Sequence, residues 1–251
     1  MPTNFLSLPS EIRNNIYERL LVLQEPIEFR YSKFERLQNL TPELLLVNKT
    51  IYREASSLMY AQNCFNISIC TSEEVVSFIE RIGRNNARYI QHIYIDFPAF
   101  EYLVLDAVML YSESTDALAK IQSDCSNLGS ITMSPHSIHA MERRLSTLDN
   151  AKITAEVIAL VNSHFRAITT LREVIVDVYE DSSNDEMRRS MKSHGWKLNT
   201  IARTEDVSSD PSFSDGDFDG LYYDDNYDDS DYGHNEYDVD YDSDFWRRAG
   251  D

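Results

Sequence analysis

The stretch YIQHIYIDF, residues 89–97, decides how this chain is read. β-Branched and aromatic residues dominate it in alternation, the pattern of a half-buried strand. His92 falls on the alternate face, where a hydrogen-bonded structural role is expected rather than that of a base. Upstream, CFNISI at 64–69 alternates in the same way, with Phe65, Ile67 and Ile69 inward and Cys64, Asn66, Ser68 and Cys70 on the other face. Between the two strands, Thr71 and Glu74 have the spacing of a capping box. They open a helix with an apolar stripe of Val75, Phe78, Ile79 and Ile82, closed by Gly83. Downstream, LREVIVDVY at 171–179 and WKLNTIA at 196–202 read as strands. Residues 116–124, 138–148, 152–168 and 184–193 read as helices, with Gly195 ending the last. The Ser-rich run 126–137 reads as loop.

Strands and helices therefore alternate from 64 to 202, which predicts an α+β fold with a small sheet flanked by helices. The globular body divides into an N-terminal unit, 1–70, and its continuation, 71–204. From 205 to 251 the pattern dissolves into Asp, Tyr, Ser and Gly, and a disordered acidic tail is expected. That tail holds seventeen Asp or Glu against Arg247 and Arg248, a charge of −15. Only −4 of the chain's −19 is left for residues 1–204.

This balance argues against nucleic-acid binding, which needs clustered Lys and Arg. Arg81, Arg84 and Arg88 form a small basic group, read as a solvated face. Three cysteines, Cys64, Cys70 and Cys125, suit a reducing compartment. The N-terminus lacks the basic and apolar regions of a signal peptide. The longest apolar run, YLVLDAVMLY at 102–111, is half the length of a membrane span and contains Asp106. A soluble protein of cytoplasm or nucleus, without membrane contact, is expected.

Catalytic motifs are missing. Gly83, Gly129 and Gly195 are the only glycines before the tail and lie far apart, so no phosphate-cradling loop is possible. No Gly-x-Ser-x-Gly elbow occurs. His136 and His139 are neighbours without zinc-ligand spacing around them, and read as part of a surface loop. Cys125 has no partner that marks it as a nucleophile. DGDFDG at 215–220 places Asp215, Asp217, Asp219 and Gly220 as in an EF-hand loop, but Asn226 stands where the bidentate Glu belongs. The reading is a non-enzymatic protein with no cofactor and no metal.

The N-terminus carries LPSEIRNNIYERLL at 8–21. Pro9 suits a first helical turn and Glu11 the helix dipole. Leu8, Ile12, Ile16 and Leu20 recur every four residues, and Leu23 continues the stripe. Pro26 ends the helix and opens PIEFRY, a strand candidate with Ile27 and Phe29 on one face. Thr41 and Pro42 start a second helix with Leu44, Val47, Ile51, Ala55 and Leu58 apolar and Asn63 as a left-handed cap. These two blocks, LPSEIRNNIYERLL and LLLVNKTIYREASSLMYAQNCFNI, resemble a large group of uncharacterised fungal proteins with F-box-like N-termini. RYIQHIYIDF is a weaker echo. The resemblance implies docking on a Skp-type adaptor of a cullin–RING ubiquitin ligase, with the remaining domain selecting a substrate. It assigns partner contacts to Leu8, Pro9, Ile12 and Ile16, completed by Val47 and Ile51.

One departure keeps a second reading open. Residues 24–41 are longer than an F-box passage, and PIEFRY can pair with CFNISI. Helix one would then cover its own sheet, and its stripe would be core, which is the favoured expectation. Function would in that case be a scaffold's, or a transcription-linked one through the acidic, aromatic-rich tail.

Overall fold

The computed structural model describes residues 4–28, 40–68, 70–180 and 184–202. Residues 205–251 lie outside them, so the tail and its DGDFDG run have no structural account. Helices and a mostly parallel sheet make up the described part, an α+β arrangement.

The N-terminal helices are α1 (Ser10–Leu21) and α2 (Lys49–Gln62). Strand β1 (Ile27–Glu28) lies between them in sequence, and β2 (Cys64–Asn66) follows. Next come α3 (Ser72–Ile82), the short α4 (Arg84–Ala87) and β3 (His92–Ile95). A hairpin of β4 (Phe100–Tyr102) and β5 (Met109–Leu110) precedes α5 (Ser112–Asp124). The chain continues through β6 (Ser130–Met133), α6 (Pro135–Leu148) and α7 (Ala151–Ala167). It closes with β7 (Glu173–Tyr179), α8 (Asp185–Ser193) and β8 (Lys197–Ile201).

Six strands form one parallel sheet in the order β1-β2-β3-β6-β7-β8. Leaving out the hairpin, that is sequence order. Crossovers between parallel strands are right-handed, so an order that does not reverse lets α3 and α7 cover the same face. The buried side chains agree. Register aligns Phe65, Ile93, Ile131 and Val174 across four strands, and Ile95, Met133, Val176 and Leu198 beside them. All of these strand residues but the half-buried Leu198 are buried, in one cluster with Val75, Phe78, Ile79 and Ile82 of α3 and Val157, Ile158, Val161 and Phe165 of α7.

The opposite face carries a different row: Asn66, Tyr94, Thr132, Ile175 and Lys197. Its polar groups satisfy one another. Tyr94 donates to Asp177 Oδ2 at 2.9 Å, Asn199 donates to Asp177 Oδ1 at 2.9 Å, and His92 Nε2 meets Thr132 Oγ1 at 2.8 Å.

Local signals behave as their chemistry dictates. Thr71 and Glu74 complete the capping box of α3, and Gly83 ends it at φ 76°. Two expectations fail. The Ser-rich run holds β6, a central strand, because Ser130 and Thr132 take the polar face while Ile131 and Met133 enter the core. His136 and His139 lie on α6, against Tyr179 with ring centroids 5.5 and 6.1 Å away, not in a surface loop.

PIEFRY does meet CFNISI, through Ile27 opposite Phe65, although residues 29–39 lie outside the described part. The strands of the 1–70 unit are thus the first two of the common sheet. Helix α1 nevertheless does not cover that sheet. It packs on α2 around a second cluster of Tyr17, Leu21, Leu45, Ile51, Ala55 and Leu58.

Candidate docking surface

Helix α1 turns an unusual face inward. Arg13, Tyr17 and Leu21, four residues apart, meet α2. Tyr17 and Leu21 are fully buried. Arg13 pairs bidentately with the Glu54 carboxylate, and the Tyr17 hydroxyl donates to Glu54 Oε2 at 3.0 Å. The hydrogen bond from Arg13 holds the Glu54 carboxyl below the usual range. Burial, with Glu54 beside it, pushes the Tyr17 hydroxyl up to about 12.

The far end of the pair is tied by Asn63. Its amide donates to Leu21 O at 2.7 Å and Met59 O at 2.8 Å, and its Oδ1 accepts from Leu23 N at 2.8 Å. Asn63 is extended at φ −87°, so the left-handed cap expected there is replaced by a buried side-chain tie. The start of α2 also shifts. Pro42–Leu46 form a 3₁₀ turn, and Asn48 caps the helix by accepting from Thr50 N and Ile51 N.

The six residues assigned to a partner separate accordingly. Leu8 and Pro9 are exposed, Ile12 is 45% exposed and Ile16 half-buried. Val47 is 60% exposed, and Leu46, which the stripe did not include, is similarly open. Ile51 is buried against α1. The favoured expectation that the stripe is core is therefore overturned for Leu8 and Ile12, while Ile16 is half-buried and Leu20 packs against the second cluster. Tyr17 and Leu21 already fill the interface, leaving Leu8 and Ile12 turned outward. A shallow groove of about 340 Å³ between the helices is lined mainly by polar groups, among them Ser10, Asn14, Ser57 and Gln62. The exposed apolar residues lie outside it.

Other candidates carry less chemistry. Burial pushes the Cys125 thiol up to about 12, and Cys64 to about 12, so neither is a thiolate at neutral pH. Burial lowers the His92 pKa and favours its neutral ring. In the basic group, Arg84 faces Asp124 at 3.7 Å and Arg88 lies over the Tyr89 ring. Among the described residues no group of three His, Cys, Asp or Glu could hold a metal ion. No described helix is long and apolar enough to cross a membrane.

Comparison with known proteins returned no matching family model, no matching curated protein and no matching solved structure.

Proposed function

We propose that this chain is a protein-interaction protein whose N-terminal helix pair docks a Skp-type adaptor in the manner of an F-box. The substrate side of the ligase would fall to the sheet body. The observation that supports this reading is the division of α1 into two faces. One is closed on α2 by Arg13, Tyr17 and Leu21; the other leaves Leu8 and Ile12 uncovered, with Leu46 and Val47 open at the start of α2. Covering each such side chain contributes about 1.5–3 kcal/mol, enough for a small set to anchor a partner.

The test is binding of purified Skp-type adaptor to the full chain and to an Ile12→Asp/Val47→Asp variant. Both positions face solvent, so stability should change by no more than about 0.5 kcal/mol per site. Adaptor binding should weaken at least about tenfold, or about 1.4 kcal/mol. Absence of binding to the natural chain, or equal binding by the folded variant, rejects the reading.

A further inference from the structure

The run YLVLDAVMLY forms most of the β4–β5 hairpin, which emerges in the crossover from β3 to β6. Its root is core: Phe100, Leu103 and Leu110 are buried. Its register slips between Phe100 and Tyr102, so Phe100 faces Leu110 while Tyr102 faces Met109. A bulge of this kind re-aims a side chain. Here it turns Tyr102 outward beside Met109, and Tyr102 is 51% exposed.

The tip is apolar as well. Val104, 58% exposed, and Leu105 crown a turn closed by Ala107 N–H donating to Val104 O at 2.9 Å. Asp106 supplies the left-handed residue of that turn at φ 61°, a conformation Asp tolerates better than most. The platform is braced from outside. Asp106 N–H donates to Glu156 Oε2 at 3.2 Å, and Arg144 donates to Phe100 O at 3.2 Å. The hairpin closes its own base where Tyr111 N–H donates to Ala99 O at 3.1 Å. Single exposed apolar residues are ordinary, but several on one braced hairpin form a patch.

Charge selects what covers it. From Tyr89 to Ala119 the chain has no Lys or Arg and five carboxylates, Asp96, Glu101, Asp106, Glu113 and Asp116. Glu156 adds a sixth beside Asp106, against the cation of Arg144 at Phe100 O, so the surroundings of the hairpin remain acidic on balance. Glu101 and Asp106 lie on the hairpin itself and are exposed. A second copy of this chain would bring like charges together, which disfavours it as occupant. Anionic lipid and nucleic acid are repelled for the same reason. A segment with Lys or Arg flanking apolar anchors matches on both counts, and Tyr and Met are adaptable partners for such anchors. We infer that the β4–β5 hairpin is a docking site for a basic amphipathic segment of a partner protein. This stands independently of the adaptor reading, since it uses different elements.

The experiment is fluorescence anisotropy on the full chain. The probe is a labelled Leu/Lys amphipathic peptide of about 18 residues, long enough for several helical turns of anchors. A Leu/Glu peptide of the same apolar pattern is the control. The Leu/Lys peptide should bind, and the Leu/Glu peptide should bind at least about tenfold more weakly. Val104→Ser/Leu105→Ser should weaken Leu/Lys binding by about tenfold, Glu101→Lys by about threefold, and Ile12→Asp not at all. Residues 205–251 are present in every variant, so their charge adds a common background. If the serine pair disturbs folding, Met109→Gln on the same face carries the same expectation as that pair. The inference is overturned by serine-pair binding equal to that of the natural chain, which would place the binding elsewhere. It is also overturned by equal affinity for both peptides, or by a dimer of the natural chain that the serine pair dissociates.

Discussion

Helices α1 and α3 look alike as sequence and behave differently as structure. Each carries apolar residues at helical spacing: Leu8, Ile12, Ile16 and Leu20 in one, Val75, Phe78, Ile79 and Ile82 in the other. The α3 stripe is buried in the main cluster. The α1 stripe is open at Leu8 and Ile12 and only half-buried at Ile16 and Leu20, while the helix fully buries Tyr17 and Leu21, with Arg13 neutralised by Glu54. Periodicity reports that a stripe exists; what covers it depends on the neighbour. Helix α3 lies on a sheet face of Phe, Ile and Val, which only apolar side chains can match. Helix α1 meets a single helix carrying Glu54 among Ile51, Ala55 and Leu58, and a mixed face answers it.

The contrast implies two cores of unequal weight, which substitution can test. Phe165→Ala in the main cluster should cost about 3–5 kcal/mol and lower the stability of the whole body. Leu21→Ala should cost about 2–5 kcal/mol. Its effect should be local: hydrogen exchange should accelerate over residues 10–21 while 92–95, 130–133 and 173–179 keep their protection. Equal acceleration in those strands would show that the two clusters unfold as one.

A smaller effect tests the tie between them. Asn63→Ala leaves Leu23 N–H and Leu21 O without that partner inside the protein, which should cost about 1–3 kcal/mol. Melting should show the end of α1 loosening first. A variant that loses nothing would mean water replaces the amide without cost.

The smallest effect is one of pH. The Glu54 carboxyl is held below its ordinary value of 4.5 by Arg13. The unfolded chain therefore takes up that proton first. The pair's contribution is complete above 4.5 and is lost as the pH falls through the depressed folded value. Acid should therefore loosen α1 from α2, read as exchange over residues 10–21, and Glu54→Gln should remove this step. An unchanged acid profile in Glu54→Gln would assign the step to other carboxylates.

Much of the sheet body was legible in the sequence. The strand at 92–95, the long β7, helix α7 and the capping box of α3 follow from alternation, helical spacing and a side-chain hydrogen bond between near neighbours. Strand β6 was hidden because four residues, two of them Ser and Thr, give too short an alternation to outweigh the serines around it. The hairpin was hidden because its bulge breaks the period of two. At the candidate surface, sequence supplied Leu8, Ile12 and Val47, but not their exposure. That depends on Arg13 meeting Glu54, 41 residues away, and on Asn63 turning its amide into the helix pair. Long-range polar contacts of this kind leave no local pattern.

The unreversed strand order has a consequence for synthesis on the ribosome. Each main-sheet strand after β1 is laid beside the one translated before it, hairpin aside, so none of these five waits for a first partner still inside the tunnel. Closure at each step spans only one crossover, and its entropy grows slowly with length. The sheet can therefore grow by accretion as domains emerge N-terminal end first. The growing edge is always the newest strand, and β8 is the last of the six to be added.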